Sequence, residues 1–124
     1  MSTIEATMTI QEIANRLVAL CRQGKYEEAQ TELYSDDAES LEPKEMPGME
    51  SVKGLDEIKK KGERFNNMLE AVHGGSVSDP VIAGNKFAVA YIIDATMKGM
   101  GRQNMQEIGV YTVKDGKVVK EQFL

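Results

Sequence analysis

The chain has 124 residues, which suits one domain with a single hydrophobic core. Its net charge of −5 and its lack of a basic stripe argue against nucleic acid and anionic membrane surfaces as partners, because nothing would neutralise phosphates. The single cysteine, Cys21, excludes an intrachain disulfide, and no apolar run approaches the roughly 18–20 residues that span a bilayer. We therefore expect one domain over residues 1–124, with residues 1–8 as a flexible N-terminal segment and a cytoplasmic location.

Two helices are predicted near the start of the chain. Thr9 and Glu12 form a capping-box pattern, in which each side chain satisfies a backbone N–H of the other residue, and Gly24 marks the end of the first helix. Apolar residues recur between them at helical spacing: Ile10, Ile13, Ala14, Leu17, Val18 and Cys21. The stretch "KYEEAQTELY" follows almost at once, so the two helices are expected to form a tight αα-hairpin.

The middle of the chain predicts a short strand, a loop and a third helix. "AESLEP" alternates as a strand does, and "PKEMPGME" is a loop because of its two prolines and its glycine. The third helix begins after Gly54 and carries a narrow apolar stripe: Leu55, Ile58, Gly62, Phe65 and Leu69. Its other face is almost wholly charged, so we expect it to lie across a surface with one edge buried.

After His73-Gly74-Gly75 the hydrophobic period changes to two. The predicted strands are "SVSDPVIAG", "KFAVAYIIDATMK", "RQNMQEIGVYTVK" and "KVVKEQFL", with Asp115-Gly116 as the clearest turn signal. Helices come first and an antiparallel meander comes last. The predicted class is therefore α+β in the order ααβαβββ plus a final strand, with the helices on one face of the sheet.

This order and several segments resemble the NTF2-like superfamily, and within it the SnoaL-like group. The resemblance is carried by the opening helix pair, "GLDEIKKKGERF", "FAVAYIIDAT" and "MQEIGVYTVKDGKVVKEQF", and runs from about residue 8 to the end. It implies a cone-shaped, strongly curved antiparallel sheet with three helices on its concave face and an apolar pocket inside. Members include isomerases, cyclases and proteins that only bind ligands or other proteins, so the resemblance implies the fold more narrowly than the activity.

Asp94 and Glu107 are carboxylates inside otherwise apolar strand segments. A two-residue turn on Gly99-Met100 would set Asp94 opposite Met105 and place both acids on one face as diagonal neighbours. A three-residue loop ending in Gly101 would place them on opposite faces. The first register is favoured because Asp94 shares its parity with Ala88, Ala90 and Ile92. Two carboxylates in one apolar pocket would repel, so at least one would hold its proton near neutral pH.

Four further residues are predicted to border the same pocket. Tyr111 shares the parity of Glu107, and Phe65 lies on the apolar stripe of the third helix. The face of Glu121 stays open: a type I′ turn on Asp115-Gly116 turns it away from Tyr111, whereas a three-residue loop with a bulge at Gly116 places the two together. His73, the only histidine, suits either the pocket rim or an exposed strand start.

These residue types support two hypotheses about function. The first is a cofactor-independent isomerase, cyclase or lyase that moves a proton on a small apolar carbonyl compound, with Asp94 or Glu107 as base and Tyr111 or the other acid as hydrogen-bond donor. The second is a module that only binds a small apolar or aromatic molecule. No ligand spacing for a metal is present in the sequence. Apolar residues of both parities in the last strands predict a homodimer through the outer sheet face.

Overall fold

Helix α1, Ile10–Arg22, begins at the predicted capping box of the computed structural model, which describes residues 7–44 and 49–124. Thr9 Oγ1 accepts a hydrogen bond from the Glu12 backbone N–H at 3.1 Å, and the Glu12 carboxylate accepts one from the Thr9 N–H at 2.9 Å. Helix α2, Tyr26–Leu33, follows after Gly24, whose positive φ of 74° closes the hairpin. Most of the predicted flexible segment, and residues 45–48 of the predicted loop, lie outside the described residues.

Among the described residues, seven strands and a third helix follow the helical hairpin. Strand β1, Tyr34–Leu41, starts directly after α2, and a short β2, Val52–Lys53, precedes helix α3, Leu55–Met68. The remaining strands are β3 at Leu69–Val77, β4 at Val81–Ala83, β5 at Lys86–Met97, β6 at Gly101–Lys114 and β7 at Lys117–Phe123. Within the parts of the chain that the structure describes, no helix has the length and apolar character needed to cross a membrane.

The sheet has the order β2-β1-β7-β6-β5-β3, and the short β4 also pairs with β5. It is mixed, because β1 runs parallel to β7 while the other pairs are antiparallel. The expected purely antiparallel sheet is wrong at this pair. Parallel neighbours must be joined by a long connection, and the chain between β1 and β7 is long because it includes α3 and strands β2 to β6. The α+β class and the curved sheet with helices on its concave face are confirmed.

Strand β3 also begins earlier than the sequence predicted. It starts at Leu69, directly after α3, and His73-Gly74-Gly75 lies inside it. Glycine has a low β-propensity, so the sequence did not predict a strand across Gly74 and Gly75. Gly75 is needed there: a Cβ at this position would stand 2.4 Å from the carbonyl oxygen of Ile92 on β5. Pro80 then separates β3 from β4, because it has no N–H to give to a ladder.

The hydrophobic core lies between the helices and the concave face of the sheet. Along β5 the odd-numbered residues point inward, and Phe87 and Val89 are fully buried there. Helix α1 supplies Ile13 and Leu17, and α3 supplies Ile58, each at most 1% exposed. A cavity lies beside this core, between the helices and the sheet.

Candidate functional site

A cavity of about 760 Å³ lies between the three helices and the concave face of the sheet. Most of its surface is apolar, and aromatic rings come from every layer: Tyr26, Tyr34, Phe65, Tyr91, Tyr111 and Phe123. Its inner wall carries the acidic and basic side chains of Glu42, Lys61, Glu107 and Glu121; Glu107 is exposed to the open cavity, and the other three are shielded from water. A largely apolar cavity with a few converging polar groups is the usual form of a small-molecule site.

The hairpin between β5 and β6 decides which acid faces this cavity. Met97 pairs with Gly101, so Lys98, Gly99 and Met100 form a three-residue loop, with positive φ at Gly99 and Gly101. This register sets Asp94 opposite Asn104 and Tyr91 opposite Glu107. Neither register considered from the sequence is observed. The favoured register is also wrong in placing the two acids on the same face of the sheet. Asp94 and Glu107 lie on opposite faces of the sheet.

Asp94 and His73 both belong to the outer face. The Asp94 carboxylate accepts two hydrogen bonds from the Arg102 guanidinium, at 3.0 and 2.8 Å, and this pairing holds the pKa of Asp94 below its ordinary range. His73 Nε2 lies 2.7 Å from Thr96 Oγ1 and its side chain is exposed. Asp94 is not among the residues that line the cavity, so its predicted place there is wrong, because alternation along β5 turns it outward. His73 is not among them either, and of its two predicted settings the exposed one is observed.

Glu107 faces the cavity, and it differs from Glu42 and Glu121 in its surroundings. The part of the chain that the structure describes contains no donor within hydrogen-bonding distance of its carboxylate. The open cavity keeps the side chain accessible, yet loss of bulk water raises its pKa to about 7, and the nearby Glu42 and Glu121 add to the shift while Lys61 opposes it. Such a carboxylate can both take up and release a proton near neutral pH.

Tyr111 lies in the cavity wall beside a second tyrosine. Its hydroxyl is 2.5 Å from that of Tyr91, whose oxygen is in turn 4.0 Å from Cys21 Sγ. Its ring stacks on Phe87 at a centroid distance of 4.8 Å. The ring also lies across Gly109, where an added Cβ would stand 2.9 Å from the hydroxyl oxygen. Burial raises the pKa of both tyrosines, so each hydroxyl keeps its proton and can donate it.

Glu121 reaches the interior through an irregularity in β7. Asp115 and Gly116, with φ of 52° and 74°, form the predicted two-residue turn, but an extra residue between Val118 and Lys120 shifts the register so that Tyr111 pairs with Glu121. The structure therefore combines parts of both alternatives. The buried Glu121 carboxylate accepts hydrogen bonds from the Tyr34 hydroxyl and from Ser40 Oγ, and burial raises its pKa.

Lys61 is a site residue that the sequence reasoning missed. Its side chain is 6% exposed, and its ammonium donates to Ser40 Oγ at 2.6 Å and to the Glu42 carboxylate at 2.9 Å. A signal was available: Lys61 stands three residues after Ile58, on the apolar edge of α3, where a solvated lysine would not be expected. Phe65, one turn further along that edge, lines the cavity and is half-buried.

The comparisons with known proteins agree with this architecture. A family model described as a SnoaL-like domain matches residues 8–124. No curated protein matches the chain. A Mesorhizobium loti protein assigned as a candidate SnoaL-like polyketide cyclase is 39% identical, with 94% of this chain and 99% of that chain covered at a TM-score of 0.88.

A more distant relationship shows the same fold. An NTF2-like protein from Burkholderia thailandensis is 17% identical, with 94% of this chain and 90% of that chain covered at a TM-score of 0.80. The family match covers both the helices that close the cavity and the strands that line it. This chain therefore belongs to the SnoaL-like family.

Proposed function

We propose that this protein binds a small, largely apolar carbonyl compound in the cavity and moves a proton on it without a cofactor. The feature that carries the proposal is the position of Glu107: its carboxylate lies in an apolar cavity with no hydrogen-bond partner among the described residues, and loss of bulk water raises its pKa to about 7. A carboxylate that has lost part of its hydration is a stronger base than one in water, and a pKa near the working pH suits it to both halves of a proton transfer.

The remaining groups fit defined parts of such a reaction. Glu107 would take a proton from the carbon next to the carbonyl group, and the C–H electron pair would move into the carbon framework and onto the carbonyl oxygen. The Tyr91 and Tyr111 hydroxyls share one hydrogen bond, in which one of them donates and the other accepts. The hydroxyl that accepts still has its own proton, and it can donate that proton in a hydrogen bond to the enolate oxygen. Return of the proton from Glu107 to a different carbon would complete an isomerisation.

Glu121 does not serve as a second base in this proposal. Its two oxygens are occupied by Tyr34 and Ser40, and its side chain is buried. Its role is to keep the inner wall polar and to raise the pKa of Glu107 by repulsion. The two roles that the sequence analysis assigned to Asp94 and Glu107 thus fall to Glu107 and the tyrosine pair.

The test uses a substrate analogue that reports on any base in an apolar cavity. A carboxylate removes the C–H proton of nitrobenzisoxazole, the N–O bond breaks, and a coloured cyanonitrophenolate forms. We expect saturable turnover whose kcat/KM rises with pH and levels off above about 7, because only ionised Glu107 is active. Saturable binding of the analogue without turnover would favour a ligand-binding module, and a rate equal to that of free acetate would contradict the proposal.

We also propose that two copies associate through the outer face of the sheet. Ile108 is 47% exposed there, and with Ala88, Ala90 and Val110 it forms one apolar patch across β5 and β6. Burying such a patch against a second copy would remove it from water. We expect light scattering at micromolar concentration to give the dimer mass, and Ile108→Lys to give the monomer mass. A monomeric wild-type protein would contradict this.

A further inference from the structure

We propose that the cavity selects uncharged or cationic ligands, with an ammonium group preferred beside Glu107, and that it rejects carboxylates and phosphates of the same shape. The inference rests on the proposed function, because it assumes that the cavity binds a ligand. It adds the charge class of that ligand. Three features support it. The buried cation, Lys61, is already paired with Glu42; the charges of the described residues at the mouth are balanced; and the lining inside is acidic and aromatic.

The buried cation is not available to a ligand. An ammonium group has three N–H donors. Two of those on Lys61 are used by Ser40 and Glu42, and the ammonium nitrogen lies 5.8 Å from the centroid of the Phe123 ring. The Lys61 and Glu42 side chains are 6% and 7% exposed, so the pair is already shielded from the cavity water. An anionic ligand would have to compete with Glu42 for this shielded cation.

The charges of the described residues at the mouth cancel one another. Arg22, Glu27 and Glu63 are exposed lining residues and Lys59 is half-buried, so the described part of the mouth has two basic and two acidic groups. Arg22 is itself engaged, since it donates to the Val77 carbonyl at 2.9 and 3.0 Å and to Asp79 at 2.9 Å. The mouth therefore offers a ligand anion little compensation for what it meets inside.

What remains inside is acidic. With Lys61 paired to Glu42, Glu107 and Glu121 have no further cation among the described lining residues of the inner wall. A ligand that fills the cavity displaces the water around Glu107, and Coulomb interactions strengthen as water leaves. An anion there would be repelled, whereas a protonated amine would gain a carboxylate partner and the faces of rings such as Tyr26 and Phe65.

The test compares three probes of one shape: the same ring isomer of naphthylmethylamine, naphthylmethanol and naphthoate. Dissociation constants are measured by calorimetry on the full chain, at a pH above the pKa of Glu107, which is about 7. We expect the amine to bind about tenfold or more tightly than the naphthoate, with the alcohol between them. In Glu107→Gln the advantage of the amine over the alcohol should vanish, and in Asp94→Asn, on the outer face, it should persist.

The outcomes separate the two levels of the proposal. Naphthoate binding as tightly as the amine, or tighter, would overturn the charge selectivity while leaving a ligand-binding cavity intact. An amine advantage that survives in Glu107→Gln would also overturn it, because the preference would then come from another surface. Failure of all three probes to bind would overturn both the selectivity and the proposed ligand cavity.

Discussion

Replacing Glu107 by glutamine should reduce kcat/KM for nitrobenzisoxazole by about a hundredfold to ten-thousandfold, the usual contribution of a positioned general base. The amide keeps the size and polarity of the side chain but cannot accept the proton. Because no described residue hydrogen-bonds this carboxylate, the substitution breaks no contact that supports the fold. Far-ultraviolet circular dichroism should therefore match wild type, and the loss should appear in kcat.

Asp94→Asn is the matched control for this variant. It removes the same kind of charge from the same sheet, but from the outer face and from an exposed pair with Arg102. Its kcat/KM should stay within about twofold of wild type, since a surface charge of this kind has little effect on a distant site. Equal losses in both variants would indicate a general effect of charge and would remove Glu107 from the role of base.

The same substitution changes how stability depends on pH. In the unfolded chain the Glu107 carboxyl releases its proton near the ordinary value of 4.5, whereas in the folded protein it holds the proton until about pH 7. Between these values the folded state binds more protons, so the free energy of unfolding of wild type falls as the pH rises. Glu107→Gln should lack the part of this decrease that comes from Glu107, and its stability at and above pH 7 should equal or exceed that of wild type in urea titrations.

Lys61→Met should cost about 3–5 kcal/mol of the free energy of unfolding, the range found when one member of a buried ion pair is removed. Methionine fills much of the same volume, but Glu42 is left without its cation and Ser40 without one donor. Lys61 also lowers the pKa of Glu107, so that pKa should rise above its wild-type value of about 7. Denaturant unfolding measures the first effect, and carboxyl titration by NMR measures the second.

Two further variants make the Lys61 result specific. Lys60 lies on the same helix and pairs with Glu57, and the two side chains are 61% and 50% exposed. Lys60→Met breaks this exposed pair, so it should lower the free energy of unfolding by less than about 1 kcal/mol. The double variant Lys61→Met with Glu42→Leu removes both charges, and it should be more stable than Lys61→Met alone. A Lys61→Met cost no larger than that of Lys60→Met would show that the buried pair contributes little.

The parts of the fold that follow from local signals could be predicted from the sequence. The capping box at Thr9, the turn at Asp115-Gly116 and the apolar stripe of α3 each depend on residues close together in the chain. The register of β5 against β6 could not be predicted in this way. It depends on whether the turn closes at Met97 or one residue later, and glycines at both 99 and 101 accommodate either.

The candidate site divides along the same line. Glu107 and Tyr111 were predicted to lie together because their parity within one strand is independent of the turn. Asp94 was misplaced because its face depends on the partner strand. The position of Glu121 depends on a bulge inside β7, and the residues of the turn do not predict that bulge. Lys61 was missed because a lysine on an apolar stripe has no partner nearby in the sequence. Its partners are Ser40 on β1 and Glu42, just after β1, and only the fold brings them to it.

The three-residue loop Lys98–Met100 has a consequence for comparing this chain with its relatives. Side chains in a strand alternate between faces, so one residue more or fewer in this loop, with the pairing conserved, would invert the phase of β6. Gln106 and Ile108 would then enter the cavity and Glu107 would leave it. Loop length thus selects which chemical group the cavity contains. An acid at the aligned position of a relative is equivalent to Glu107 only when the two hairpins are in phase.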